Sequence, residues 1–315
     1  MKNKYQLFVA VVSGALALPL TAQAQVTYEY EQVDFPGASA TQVFGINQPG
    51  VVAGTGFTLP ESFPFIYDIQ EGSFADVDAV AGSAATSVFG INNRGAVVGS
   101  VFDSSGMTRG FIRDHTGVET VFAHPDATFF TQARGINSRG LVTGFRDSGF
   151  FSVGFIYDPA SATFTDIVPS LFTIAQGINA RGDVVGSAQF SPEQDPCESP
   201  GASGRYGWLR TQQNAVSYFT VNGMPTSARG VDDSGTVAGF FTKTATDETE
   251  TDERLGFVTV LSGTPCQDIT INEEDLLVFP GAKETFPQGI TNSGVIAGQF
   301  TDQDDVSHGF IARPE

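Results

Sequence analysis

Hydrophobic residues along this chain fall in short stretches that alternate with polar residues and are rich in Val, Ile and Phe. Clusters of Gly, Pro, Asn, Asp and Ser separate these stretches, and turn signals about every 8–12 residues are typical of short antiparallel strands. After residue 25, no stretch keeps a 3.6-residue apolar period over about a dozen residues. The pattern therefore predicts an all-β protein with few helices.

A ten-residue pattern, in its commonest form G-I-N-x-x-G-x-V-x-G, occurs six times, and successive copies start 45, 45, 42, 53 and 59 residues apart. The copies are Gly45–Gly54, Gly90–Gly99, Gly135–Gly144, Gly177–Gly186, Gly230–Gly239 and Gly289–Gly298. The Asn or Asp can bond back to its own backbone to begin a turn, and the second Gly suits the left-handed position that closes a hairpin. Each copy therefore predicts a β-hairpin, and a period of this size indicates a propeller or a solenoid.

Two more strands are predicted in each repeat. Third strands are expected at Pro64–Tyr67, Gly110–Arg113, Gly154–Tyr157, Gly207–Arg210, Gly256–Val258 and Gly309–Ile311. Fourth strands are expected at Phe74–Asp78, Val118–Ala123, Phe164–Val168, Val216–Val221 and Asp275–Phe279. Four short strands in a unit of about 45 residues are typical of a propeller blade.

The last repeat has no fourth strand before Glu315, whereas a strand-like segment, Tyr28–Phe35, precedes the first hairpin. Pairing these two ends would remove the open edges of a linear stack. The sequence therefore predicts a six-bladed β-propeller of four-stranded antiparallel blades, closed by pairing of the N-terminal strand with the C-terminal blade, in one domain over residues 25–315. An open solenoid is the alternative, although solenoids usually carry distinct polar capping repeats.

Residues 1–24 have the order of a secretory signal peptide. Lys2 and Lys4 are followed by the apolar run Leu7–Leu20 and by the small-residue cleavage site Ala22–Ala24. That run is shorter than the roughly 20 residues of a membrane-spanning helix. We expect cleavage near Ala24, a secreted or periplasmic protein and no membrane span.

Charge and cysteine content indicate which partners and which cellular compartment to expect. Asp and Glu number 35 against 16 Lys and Arg, a net charge of −19, and such an acidic chain is not expected to bind nucleic acid. Its two cysteines, Cys197 and Cys266, predict one disulfide in an oxidising compartment, with two separate thiols as the alternative.

The repeated hairpin, followed by a strand that begins His308-Gly309-Phe310 in the last copy, resembles the HAF repeat, an extracellular repeat of bacteria named after a His-Ala-Phe motif. The resemblance covers about residues 26–315 and implies secretion and a β-propeller-like fold. Only His308 keeps the His of the motif; the matching residues are Arg109, Val153, Tyr206 and Leu255. The family implies no reaction and no catalytic residues.

Few residues suggest catalysis. The three histidines, His115, His124 and His308, lack the tight spacing of a zinc site, and no nucleophile elbow occurs. We therefore expect no catalytic residue and no cofactor. Asp302, Asp304 and Asp305 are candidate ligands for calcium, and the alternative is that they are ordinary solvated loop acids.

The best candidates for a ligand surface precede the first Gly of each repeat, in the strand that lines the channel of a propeller. They are Phe44, Phe89, Arg134, Gln176, Arg229 and Gln288. The two arginines are suited to an anionic group, and the alternative is that they pair with acids such as Asp232.

These features favour a non-catalytic binding or structural module, expected to be a monomer with an extracellular glycan or protein as its ligand. The loops between second and third strands are longest at Ser187–Gly204 and Thr242–Leu255, where binding residues are expected to gather. The alternative is a secreted propeller enzyme, a hydrolase or lyase, that acts on polysaccharide with loop carboxylates as acid and base.

Overall fold

The computed structural model describes residues 26–167, 170, 172–197, 204–245 and 251–315, so the predicted signal peptide lies outside the described residues. Short strands dominate these residues, with only two single-turn 3-10 helices, Pro192–Gln194 and Glu273–Asp275. The strands of the first three repeats, with the N-terminal strand, are β1 Tyr28–Val33, β2 Ala40–Ile46, β3 Val51–Thr58, β4 Glu61–Asp68, β5 Ser73–Asp76, β6 Ser83–Ile91, β7 Val97–Asp103, β8 Thr108–Arg113, β9 Glu119–Phe122, β10 Thr131–Ile136, β11 Val142–Ser148, β12 Phe151–Asp158 and β13 Thr163–Ile167. The remaining strands are β14 Phe172–Ile178, β15 Val184–Gln189, β16 Arg205–Arg210, β17 Val216–Val221, β18 Thr226–Val231, β19 Thr236–Lys243, β20 Glu253–Val260, β21 Cys266–Ile269, β22 Glu284–Ile290, β23 Ile296–Thr301 and β24 Ser307–Pro314.

All six predicted hairpins form, as the antiparallel pairs β2–β3, β6–β7, β10–β11, β14–β15, β18–β19 and β22–β23. In the second hairpin the N–H of Gly95 donates to the carbonyl of Asn92 at 3.0 Å, and Asn92 Oδ1 accepts from the N–H of Ala96 at 3.0 Å. Gly95 has φ +78°, the left-handed conformation that the sequence predicts for the turn glycine. The turn prediction is therefore confirmed.

The third strand of every repeat adds to the outer side of its hairpin, and the predicted N-terminal pairing is also present. Strand β1 runs antiparallel to β24, with Tyr28 opposite Pro314 and Val33 opposite Gly309. Three sheets have four strands, β2–β5, β6–β9 and the sheet of β22–β24 with β1. The third and fourth repeats share a nine-stranded sheet, joined by one parallel pair between Ser152 and Phe172.

The fifth repeat departs from the prediction, because residues 275–279 do not form a fourth strand. Glu273–Asp275 is a 3-10 helix, and Leu277 makes only an isolated bridge to Gly256 of β20. Leu277 is 1% exposed, so its burial holds this segment against the sheet without a ladder of hydrogen bonds. The preceding strand β21 instead pairs in parallel with β17 at the outer edge of the fourth repeat.

The repeats pack side by side around one axis, with the first strand of each hairpin innermost. Neighbouring first strands contact one another in the cyclic order β2, β6, β10, β14, β18, β22 and back to β2. Backbones approach closely here: a Cβ added to Gly135 would lie 2.5 Å from the carbonyl oxygen of Gln176 in the next repeat. The core fills the spaces between adjacent sheets, where each third strand contributes a fully buried ring from Phe65, Phe111, Phe155, Trp208, Phe257 or Phe310. The arrangement is all-β and propeller-like.

Candidate functional site

A β-bulge interrupts each of the six innermost strands just before the first Gly of the repeat. The register moves, for example, from Val43 to Gly45 and from Ala133 to Gly135, which leaves one residue between them unpaired. The six bulged residues are the predicted ligand candidates Phe44, Phe89, Arg134, Gln176, Arg229 and Gln288. A bulge turns a side chain out of the normal alternation of a strand. It therefore gives the same residue of every repeat the same orientation.

The structure brings all six bulged residues together in one central channel, a cavity of about 110 Å³. The hairpin turns line the same cavity, among them Gln48, Asn93, Asp233 and Asn292. The predicted position of the six candidates is therefore observed, whereas none of the described residues of the long loops at 187–204 and 242–255 lines this channel.

The lining divides into an aromatic sector and a sector of hydrogen-bond donors. Phe44 and Phe89 pack edge to face with ring centroids 5.0 Å apart, and the Arg134 guanidinium lies 4.2 Å from the centroid of Phe89. The guanidinium of Arg229 lies 4.9 Å from the ring centroid of Phe240, on the neighbouring strand β19. These cation–π contacts hold both cations against aromatic faces.

Neither channel arginine forms an ion pair with a described residue. Arg134 Nη2 donates to Gln132 Oε1 at 3.0 Å, but the Nε atoms of Arg134 and Arg229 are buried without a hydrogen-bond partner. The suggested partner Asp232 instead accepts from its own turn, from the N–H of Thr236 among others. The arginines that do pair with carboxylates are Arg109, Arg113, Arg146, Arg181, Arg254 and Arg313.

The surroundings of the two channel guanidiniums disfavour their charge. Burial lowers the pKa of Arg134 to about 10. Burial, with a smaller contribution from the charge of Arg134, lowers the pKa of Arg229 to about 9. Both groups still carry a positive charge at neutral pH, and they share the cavity with the carboxylates of Asp232 and Asp233.

A chain of asparagine side chains, which the sequence analysis missed, links the hairpin turns around the channel. The side-chain amide of Asn47 donates to the carbonyl of Asn92 at 3.0 Å, and Asn92, Asn137 and Asn179 continue to the matching residue of the next repeat. Asp232 has no amide to donate, and there Asn292 Nδ2 bonds Asp233 Oδ2 instead. Four of the six repeats have Asn rather than Asp at this turn position, and this preference is the sequence signal that could have indicated the link between repeats.

The three histidines lie apart, and two of them belong to structural networks. His115 is exposed in a turn. His308 Nδ1 lies 3.0 Å from both carboxylate oxygens of Asp34, and its Nε2 lies 3.2 Å from Asp302 Oδ2. Partial burial on its own would lower the pKa of His308, but the hydrogen bonds and charges of Asp34 and Asp302 raise it.

The three calcium candidates serve a turn between β23 and β24. Asp302 Oδ1 accepts from the N–H groups of Asp304 and Val306 at 2.9 and 2.8 Å, and Asp305 forms an ion pair with Lys283. Among the described residues these carboxylates do not form a cluster of metal-ligand atoms. Calcium binding at Asp302, Asp304 and Asp305 therefore stays a prediction from the sequence.

A second cavity, of about 640 Å³, lies beside an acidic cluster on the periphery, between the second and third repeats. His124, Asp126 and Asp166 place a nitrogen or carboxylate oxygen within 4.8 Å of one another. Arg146 Nη2 lies 2.8 Å from Asp166 and 3.9 Å from Asp126, so its charge offsets the two carboxylates. Burial lowers the pKa of His124. Sequence spacing did not reveal this cluster, because its members come from separate strands and loops.

The predicted disulfide is present between Cys197 and Cys266, whose Cα atoms are 5.6 Å apart. Strand β21 pairs with β17 at the edge of the fourth repeat, and this position brings Cys266 beside Cys197. Nearby, burial and the Asp195 carboxylate raise the pKa of the Tyr206 hydroxyl, which donates to Asp195 at 2.9 Å. A disulfide is consistent with an oxidising compartment.

No family model matches the sequence, and no curated protein matches it. Among solved structures, the chain is similar to TolB from Acinetobacter baumannii, with a TM-score of 0.51 and 10% identity over 88% of this chain and 55% of TolB. It is similar to a prolyl endopeptidase, with a TM-score of 0.50 and 14% identity over 88% of this chain and 42% of that one. The β-propeller domain of the Trilobed protease from Pyrococcus furiosus aligns with a TM-score of 0.46 and 11% identity, over 88% and 83% of the two chains.

The chain thus spans about half the length of TolB and less than half of the prolyl endopeptidase. At these identities the likeness concerns the fold alone, and it places the protein among all-β, propeller-like structures. Among the residues described, no helix has the length and apolar character needed to cross a bilayer.

Proposed function

We propose that this protein is an exported, HAF-repeat six-bladed β-propeller that acts as a non-catalytic binding module, with its central channel as the ligand surface. The six hairpins in cyclic order and the pairing of β1 with β24 support a closed ring. The leader-like pattern of residues 1–24 and the Cys197–Cys266 bond support export.

One observation carries the proposal: six equivalent β-bulges direct six different side chains into one cavity. The backbone of the repeat is uniform, but the bulged residue varies between Phe, Arg and Gln. If the position only filled space, similar apolar residues would serve in every repeat. A mixture of aromatic, cationic and amide groups on one rigid ring is typical of a binding site.

A glycan array and a hydrolysis screen on residues 25–315 test this function. We expect binding without turnover, and we expect Phe89→Ala to weaken the binding of any ligand found, because it removes an aromatic wall of the channel. The control is Phe102→Ala, which changes an exposed ring at the end of β7 that does not line the channel. Turnover of any glycan, or equal binding by both variants, would contradict the proposal.

One observation favours the enzymatic alternative, namely the Asp126 and Asp166 carboxylates beside the 640 Å³ cavity. Glycoside cleavage needs one protonated carboxyl group and a second, ionised one. Arg146 Nη2 lies 2.8 Å from Asp166 and 3.9 Å from Asp126, so both carboxylates share one cationic neighbour instead of lying in the two different environments that an acid and a base require. If the hydrolysis screen shows turnover, Asp126→Asn and Asp166→Asn should each abolish it.

A further inference from the structure

We infer that the central channel binds a small carboxylate, held by Arg134 and Arg229 with its apolar part against Phe44 and Phe89. The inference rests on the proposed function, because it names the ligand chemistry of the same channel. It is carried by two guanidiniums that form no ion pair with a described residue, by the size of the cavity and by the placement of the aromatic rings.

The first step concerns charge. A guanidinium that is taken out of water needs a compensating partner, since an uncompensated buried charge costs several kcal/mol. Arg146, which is 7% exposed, has such a partner in Asp166, 2.8 Å away. The channel residues Arg134 and Arg229 are partly buried and form no ion pair with a described residue; Asp232 and Asp233 line the same cavity but lie beyond ion-pair distance from them. A bound anion would supply the missing charge.

The second step concerns geometry. Arg134 and Arg229 belong to the third and fifth hairpins, with Gln176 of the fourth between them in the ring. The Nε of each arginine is fully buried, so the terminal Nη groups are the ones that can face a ligand in the channel. The planar guanidinium presents two parallel N–H groups that match the two oxygens of a carboxylate, whereas a spherical ion uses this fork less well.

The third step concerns size and the aromatic contact. A cavity of about 110 Å³ is smaller than the roughly 300–1,000 Å³ of pockets that hold drug-sized ligands, so it suits a small anion. Phe44 packs against Phe89, and the Arg134 guanidinium lies against the face of Phe89, so the aromatic contact adjoins one of the two cations. The carboxylate group of acetate or propionate can bind the guanidiniums while its methyl or ethyl group contacts the aromatic rings. A fully polar anion has no apolar group for the rings.

Calorimetric titration of the exported form tests the inference, with sodium acetate and sodium propionate against sodium chloride and sodium phosphate at matched ionic strength. Glucuronate is included to separate a free short acid from a carboxyl group on a sugar. We expect saturable binding of acetate and propionate, and at least tenfold weaker binding in Arg134→Gln and Arg229→Gln. Arg94→Gln, an exposed turn arginine outside the cavity lining, removes the same charge and should bind as the wild type does.

Arg229→Lys keeps the charge but removes the fork, so it should lose affinity for acetate while its melting temperature stays close to that of the wild type. Circular dichroism of each variant separates lost binding from lost folding. Absence of saturable acetate or propionate binding, unchanged affinity in the folded Gln variants, or equal affinity for chloride would overturn the inference. The two failures are distinguishable: a ligand from the glycan screen whose binding is lost in Phe89→Ala, together with no binding of acetate or propionate, would leave the proposed function standing while this inference failed.

Discussion

The side-chain amide of Asn92 donates to the backbone carbonyl of Asn137, the matching residue of the next hairpin, at 3.1 Å. Asn92 Oδ1 at the same time accepts from the N–H groups of Arg94 and Ala96 in its own turn. Each such asparagine therefore does two things: it shapes one hairpin and joins it to its neighbour. Asn92 and Asn137 are 5% and 3% exposed, so these bonds are shielded from water.

We expect Asn137→Asp to lower the free energy of unfolding by about 1–3 kcal/mol, because it removes the donor to the carbonyl of Asn179 and places a carboxylate beside it. Asp232→Asn is the matched exchange in the opposite direction. It should keep or raise stability by up to about 1 kcal/mol, since the new amide can reach toward the next turn. Urea denaturation of both variants measures the difference, and equal effects would show that the link between repeats contributes nothing.

Gly135→Ala should destabilise the protein by about 3 kcal/mol or prevent folding. The added Cβ would lie 2.5 Å from the carbonyl oxygen of Gln176 and 2.7 Å from Thr143 Oγ1, where the innermost strands of neighbouring repeats are in contact. Gly106→Ala is the control: Gly106 has φ +83° but nothing within 4 Å of an added Cβ. That variant should cost only about 1–2 kcal/mol of backbone strain. Similar melting temperatures for the two variants would contradict close packing at the axis.

Removal of the disulfide by Cys197→Ser with Cys266→Ser should lower the free energy of unfolding by about 2–4 kcal/mol. Hydrogen exchange should become faster in β21, which the bond holds near β17, and stay slow in the innermost strands. Reductant should lower the stability of the wild type and leave the double variant unchanged. Alkylation of both thiols before reductant is added would show that the bond is absent in solution.

His308 should stabilise the fold more at low pH than at high pH. Its pKa is raised above the ordinary 6.5 by Asp34 and Asp302, so the protonated ring stabilises the folded state below about pH 6.5. This contribution is lost as the pH rises through the folded pKa. The stability difference between wild type and His308→Gln should therefore be larger at pH 5 than at pH 9.

His115→Gln serves as the control, because that ring is exposed. The wild type and His308→Gln must be compared at each pH, because the stability of the wild type alone also contains the contribution of His124. Burial lowers the pKa of His124, so that contribution changes with pH in the opposite direction. A difference for His308→Gln that does not change with pH would contradict the ion-pair network.

Arg229→Gln should raise the free energy of unfolding by about 1–2 kcal/mol in a buffer of low anion content, because it removes a charge that lacks a carboxylate partner. The gain should shrink when acetate is added, since acetate stabilises only the protein that binds it. Arg94→Gln, at an exposed turn, should change stability by less than about 0.5 kcal/mol under both conditions. A loss of stability in Arg229→Gln would show that its cation–π contact with Phe240 outweighs the cost of burial.

Much of this architecture is present in local sequence signals. The Asx residue and the turn glycine of each repeat predict the hairpin, and the same offset before the first Gly predicts which residue faces the axis. Phe44, Arg134 and Arg229 lie at the axis because a repeated backbone gives equal positions equal environments, whereas their role in binding a ligand stays a prediction. The predicted fourth strand at 275–279 is wrong, and local sequence signals could not show this. A segment rich in apolar residues can form a paired strand or, as here, pack against the sheet through a buried residue such as Leu277.

By itself, therefore, the sequence determined the repeat, the turns and the six residues of the channel, since these depend on contacts within a few residues and on their regular recurrence. Only the tertiary structure decided that β21 crosses to the fourth repeat, that Cys197 meets Cys266, and that Asp166 joins His124. It also decided that the buried Nε of Arg229 has no hydrogen-bond partner among the described residues. These features depend on which distant segments become neighbours, and that is set by the packing of whole sheets rather than by any local pattern.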